Sequence, residues 1–171
     1  MNCPSCGAPI HLEDGASSAT CHYCGAVYVP DKNVDGVRVF NQPGELLCPI
    51  CHVPLMHAMI ARQRILYCTR CRGNLIPMPV FVVLIAALRA QRGDATDIAS
   101  PPDPHHLDRP TACPQCGRRM DTHYYAGGGN VVIDDCSKCE LNWLDAGELM
   151  AIAHAPDHSL DRRPLIEPDA P

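Results

Sequence analysis

The twelve cysteines of this chain fall without remainder into six C-x-x-C pairs: Cys3/Cys6, Cys21/Cys24, Cys48/Cys51, Cys68/Cys71, Cys113/Cys116 and Cys136/Cys139. A structural tetrahedral metal site takes four soft thiolates, and one C-x-x-C turn supplies two of them. Six pairs therefore make three sites. Proline follows the first cysteine in the odd pairs (CPSC, CPIC, CPQC) and never in the even ones (CHYC, CTRC, CSKC). The intervals alternate too, shorter inside each presumed unit than between units. Consecutive pairing follows, on the C-x2-C…C-x2-C zinc template, rather than an interleaved cross-brace.

Other uses of paired cysteines fit less well. A disulfide framework needs an oxidising compartment, and Met1-Asn2 runs straight into Cys3 with no apolar leader, so a cytoplasmic, reduced chain is expected. Iron in a rubredoxin-like site uses similar ligands and stays a minor alternative. A thioredoxin-type motif would need one pair in a βαβ setting. Each unit spans about 40 to 50 residues, near the size at which apolar burial alone rarely sustains a fold. Structural zinc supplies ~10–16 kcal/mol that becomes folding energy, so chelation is expected to unfold all three units. The expected cofactor is three Zn2+, one per unit.

The fold class read from this pattern is small, metal-stabilised and β-rich: three zinc ribbons, the second and third each followed by a short helix. Unit one is read as 1–40, with strands at 9–12 and 27–29 and a turn at 13–18. Gly7 and Gly25 follow the second cysteine of each knuckle, where a left-handed backbone turns amides toward sulfur. His11 and His22 lie nearby, but four cysteines already fill the site. Unit two, 41–93, has strands at 55–60 and 65–68 and a helix over 79–92, with proline in its first turn. Residues 94–110 read as a Pro/Asp-rich linker, in which His105 and His106 are a weak metal signal. Unit three, 111–153, has strands at 124–125 and 131–133 around a glycine-rich turn at 126–130. Asp145 and Glu148 then fit a capping box for a helix over 146–153. The tail, 154–171, reads as disordered.

Units two and three are internal repeats. Aligning Cys71 with Cys139 places Asn74 on Asn142, Leu75 on Trp143 and Ile76 on Leu144. The stretch CPQCGRRM…VVIDDCSKCELNWLDAGEL resembles the transcription-factor-IIB-type zinc ribbon family, small and mostly bacterial zinc domains. The family pattern runs CPxC, a hairpin ending in Asp, then C-x-x-C-x-G-x-W-L-D-x-G-E-L. Unit three matches at Asp134, its four cysteines, Trp143, Leu144, Asp145, Gly147, Glu148 and Leu149, and departs at Leu141, where the family has glycine. Unit two keeps Gly73 but carries Leu75 for the tryptophan and Pro77 for the aspartate. The resemblance implies zinc binding and, through the family name, a link to transcription.

Charge divides by unit: −2, +5, −3 in the linker, −3 and −2 in the tail, for a net −5. A net negative chain is a poor general binder of nucleic acid, which relies on neutralising phosphates. Unit two is the exception. Arg62, Arg64, Arg70 and Arg72 are candidate contacts for nucleic acid or an acidic partner, against the alternative of a solubilising surface. Phe81, Leu84, Ile85 and Leu88 share one helix face, either buried against their own ribbon or offered to a protein partner. About ten apolar residues are far short of the ~20 needed to cross a bilayer. No nucleophile–base pair or open metal position is legible, and Asp134 and Asp135, as strand neighbours, point to opposite faces. The expectation is a non-catalytic protein-interaction module, with a nucleic-acid-binding or transcription-linked factor as the alternative.

Overall fold

The computed structural model describes residues 1–11, 18–92, 107–108, 110–125 and 130–156. A two-stranded antiparallel hairpin, β1 (Ala19–Thr20) and β2 (Val27–Tyr28), makes the first ribbon. A single seven-stranded sheet follows, built from β3 (Arg38–Leu47), β4 (Pro54–Ile60), β5 (Gln63–Tyr67), β6 (Asn74–Pro77), β7 (Asp121–Tyr124), β8 (Val132–Cys136) and β9 (Leu141–Leu144). Its spatial order is β3-β4-β5-β6-β9-β8-β7. Helix α1 (Met78–Arg92) continues from β6, and α2 (Glu148–His154) follows β9 after a short turn.

The β-rich class with three tetra-cysteine clusters and two later helices is as read from the sequence. What the sequence did not show is that units two and three are one body. β6 pairs with β9 in the register Asn74↔Leu144, Leu75↔Trp143, Ile76↔Asn142 and Pro77↔Leu141. These segments are the repeat-equivalent ones, so the strands meet about a local two-fold passing between Leu75 and Trp143. Such an interface is isologous, the same patch meeting itself, here within one chain. The two helices lie on one face of the sheet and touch each other.

Strand alternation sorts the side chains into two layers. Ile65, Tyr67, Ile76 and Leu144 face the helices and pack with Phe81, Leu84, Ile85, Leu88, Leu149 and Ile152. Leu75, Leu141 and Trp143 take the opposite face, clustered with Leu55, Met120 and the cysteines of the second and third units. Phe81, Leu84, Ile85 and Leu88 are thus core residues, and the candidate apolar contact surface at these four positions is corrected. The partner they lacked in the sequence is α2 and the shared sheet. The exposed apolar face of α1 carries Val82 and Val83 instead.

Other local differences have local causes. The expected boundary at 40/41 falls inside β3, whose Phe40 completes the first ribbon's core beside Ile10, Ala19 and Met59. The β4–β5 turn closes in two residues, with Ala61 and Arg62 both left-handed at φ 44° and 66°, the backbone of a type I′ hairpin. β7 and β8 run beyond the expected 124–125 and 131–133. Most of the glycine-rich turn at 126–130 lies outside the described residues, as do the turn at 13–18 except residue 18, most of the linker with His105 and His106, and residues 157–171. Helix α2 begins at Glu148, not 146, because Gly147 adopts φ 87°. The Asp145 amide donates to Glu148 Oε2 at 2.6 Å, as in a capping box, and Asp145 Oδ1 accepts the Trp143 indole N–H at 3.1 Å. The helix extends to His154, with Ala155 buried behind it.

Candidate metal centres

The C-x-x-C pairs build closely similar turns. In five of the six, the first cysteine's carbonyl accepts the amide four residues on: Gly7, Gly25, His52, Arg72 and Gly117, at 2.8–2.9 Å. All five, and Glu140 after the sixth pair, have positive φ. Glycine fills three of these positions without strain. The curled backbone also aims amides at sulfur: Cys51 N–H approaches Cys48 Sγ at 3.3 Å and Cys71 N–H approaches Cys68 Sγ at 3.5 Å.

The hairpins bring consecutive pairs together. Cys3, Cys6, Cys21 and Cys24 form one group, Cys48, Cys51, Cys68 and Cys71 a second, and Cys113, Cys116, Cys136 and Cys139 a third, with all sulfurs of a group within 4.8 Å of one another. A tetrahedral ion with ~2.3 Å metal–sulfur bonds requires S···S edges of about 3.8 Å. The edges Cys3–Cys24, Cys6–Cys21, Cys48–Cys71 and Cys116–Cys136 measure 3.7, 3.6, 3.6 and 3.7 Å. A disulfide would bring two sulfurs to ~2.05 Å, and all twelve cysteines are free. The donor set and its dimensions fit a closed tetrahedral metal site in each group. Within the third quartet the thiols divide: the Arg118 amide brings Cys116 down to about 7, while burial and the neighbouring cysteines push Cys139 up to about 12.

The surroundings differ between centres. Cys6 and Cys24 of the first are exposed, whereas the corresponding cysteines of the second and third are half-buried. Buried Asp134 braces the third unit by accepting from Thr111 Oγ1 at 2.9 Å and from Thr122 Oγ1. Asp135 turns instead to His123 Nδ1 at 3.3 Å. His11 and His22 are exposed and outside the first quartet.

The four candidate arginines are not gathered into one patch. Arg72 pairs with Asp35, its Nε donating to Oδ2 at 2.9 Å and its second nitrogen to Oδ1. Tyr67 O–H donates to the same carboxylate at 2.8 Å. The Arg72 hydrogen bond holds the Asp35 carboxyl below its ordinary range. Arg62 caps the hairpin turn and Arg70 lies in the knuckle at the far end of β5, roughly 17 Å along a five-residue strand. Arg64 is half-buried and lines an apolar groove with Leu66, Leu75, Pro77 and Leu141. Sequence reasoning missed Asp35, which lies 37 residues from its arginine, and missed Lys32 and Arg38, which the fold carries to the same end of the sheet as Arg62. Only a long-range pairing exposes these, and no local signal announces it.

Fold and quartets together define a metal-binding protein of the zinc-ribbon class. Residues 112–155, which hold the third quartet, match the transcription factor zinc-finger family. No curated protein and no solved structure matches the chain.

Proposed function

We propose that this chain is a non-catalytic zinc protein, with one Zn2+ in each quartet, that works as a protein-interaction module. The observation that carries the interaction role is the apolar surface of the first ribbon, where Tyr23 is 76% exposed, Val27 64% and Val29 46%. Val27 opens β2 and Val29 directly follows that strand. Large apolar side chains left exposed on a small metal-binding hairpin support a surface that binds another protein. Zinc is favoured over iron by the family match of the third unit. A non-catalytic role is supported by donor count, since four thiolates leave no open position on the ion for water.

The test is affinity capture of the tagged, crosslinked protein from its native cells, with and without nuclease. A defined protein should be retained after nuclease and lost when Tyr23→Ser and Val27→Ser are combined, with metal content unchanged. Capture that collapses on nuclease treatment would instead make nucleic acid the partner and end this reading.

A further inference from the structure

We infer that the chain carries a phosphoryl-group binding site at the end of its sheet, formed by Lys32, Arg38 and Arg62 and independent of the interaction surface above. A cavity of about 220 Å³ opens there, lined by these three cations with Gly36, Met59 and Gln91 among its walls. No carboxylate lines it. Lys32 and Arg38 are antiparallel bridge partners, and Arg38 is next in register with Met59 of β4. Residues directly opposite in a bridge project to the same face, and like charges placed so repel.

The fold does nothing to relieve that repulsion. Among the described residues no carboxylate pairs with Lys32, Arg38 or Arg62. Asp35, the acid closest in sequence, is held by Arg72 and Tyr67. The arrangement is instead made rigid. Asn33 Oδ1 accepts the amides of Asp35 and Val37 at 3.0 and 2.9 Å, and Gly36 turns the chain at φ 74°. Arg38, itself part of the cavity lining, donates to the Pro30 carbonyl. The left-handed Ala61–Arg62 turn sets the third cation at the rim.

Three cations line one cavity, and Asp35 at the adjoining one is already engaged by Arg72 and Tyr67, so the cavity calls for a compact anion of more than one charge. Guanidinium groups bind phosphate oxygens bidentately and lysine adds a point charge. The cavity admits one phosphoryl group, whether on a small phosphorylated molecule or at one phosphate of a nucleic-acid strand. The exposed arginine Arg70 lies at the other end of β5 and takes no part.

The test uses the zinc-loaded full chain and follows backbone amide shifts on titration with inorganic phosphate, with sodium chloride at equal ionic strength as control. Gly36, Ala61 and Arg62 should move saturably with phosphate alone. The combined Lys32→Ser and Arg62→Ser variant, altered at two exposed positions, should bind roughly tenfold more weakly, while Arg70→Ser leaves binding unchanged. A second arm replaces phosphate with a short single-stranded oligonucleotide. Tighter binding at the same amides would assign the phosphoryl group to a nucleic-acid chain, and no gain would assign it to a small molecule. A non-saturating response to both probes, or a variant that binds as well as the parent, would overturn the site.

Discussion

At position 73 even one added carbon has nowhere to go: a Cβ there would stand 2.2 Å from Trp143 Cζ2. The local two-fold gives this contact a counterpart on the other side, where Leu141 replaces the glycine and Leu75 the tryptophan. Both lie in the same cluster and line the same groove. The two departures from the family pattern are therefore one exchange, ring over glycine on one side and leucine over leucine on the other. Gly73→Ala should cost about 1–3 kcal/mol through overpacking, read from denaturant unfolding of the metal-loaded chain. In a Trp143→Leu background the same substitution should cost much less. An equal cost in both backgrounds would mean that the ring does not enforce the glycine. A smaller effect belongs to His52, exposed and left-handed at φ 56°. Left-handed backbone costs an L-residue ~1–2 kcal/mol, and glycine returns ~0.5–1 of that in entropy. His52→Gly should therefore raise Tm by a few degrees, checked by calorimetry.

At the scale of elements, one ion-paired turn fastens the first ribbon's exit to the second knuckle. Asp35 takes two hydrogen bonds from Arg72 and one from Tyr67, while Asn33 shapes the turn behind it. Asp35→Asn should leave all three metals bound yet speed hydrogen exchange at the Gly36 and Val37 amides. Unchanged exchange would show that Asn33 alone holds the turn. The same elements show what a sequence can reveal. The quartets were legible because each C-x-x-C is a four-residue event, and α1 because its apolar spacing is local. The repeat itself was visible in Asn74 against Asn142 and Leu75 against Trp143. Its consequence was not, since β6 and β9 pair across more than sixty residues and nothing local distinguishes a strand that meets its own copy from one that faces solvent. The face of α1 was ambiguous for the same reason: its cover is α2, supplied by the other repeat. Arg72 read as a surface cation because its acid lies in the first unit.

Across the whole molecule, three similar sulfur quartets are set in two different mechanical contexts, and metal loss should expose the difference. The first quartet anchors a two-stranded hairpin, its Cys6 and Cys24 are exposed, and its core borrows Phe40 and Met59 from the large sheet. The second and third quartets border one apolar cluster around Trp143, and their units share a continuous ladder and a helix pair. A chelator reaches an exposed thiolate without prior opening, whereas a half-buried one requires local unfolding whose cost scales with what must be broken. Because metal binding is folding energy for a small ribbon, losing the first ion should melt β1 and β2 while the seven-stranded sheet survives on two. Withdrawing either remaining ion should strain the β6–β9 junction, so those two should leave nearly together. Native mass spectrometry during timed exposure to EDTA should accordingly show a three-metal species, then a persistent two-metal species, then the apo chain, with little of the one-metal form. Hydrogen exchange on the two-metal species should find protection lost at Cys21 and Gly25 and retained at Leu75 and Trp143. Loss of all three ions at one rate would mean that exposure does not rank the centres. A populated one-metal species would mean that the shared sheet does not couple the second and third.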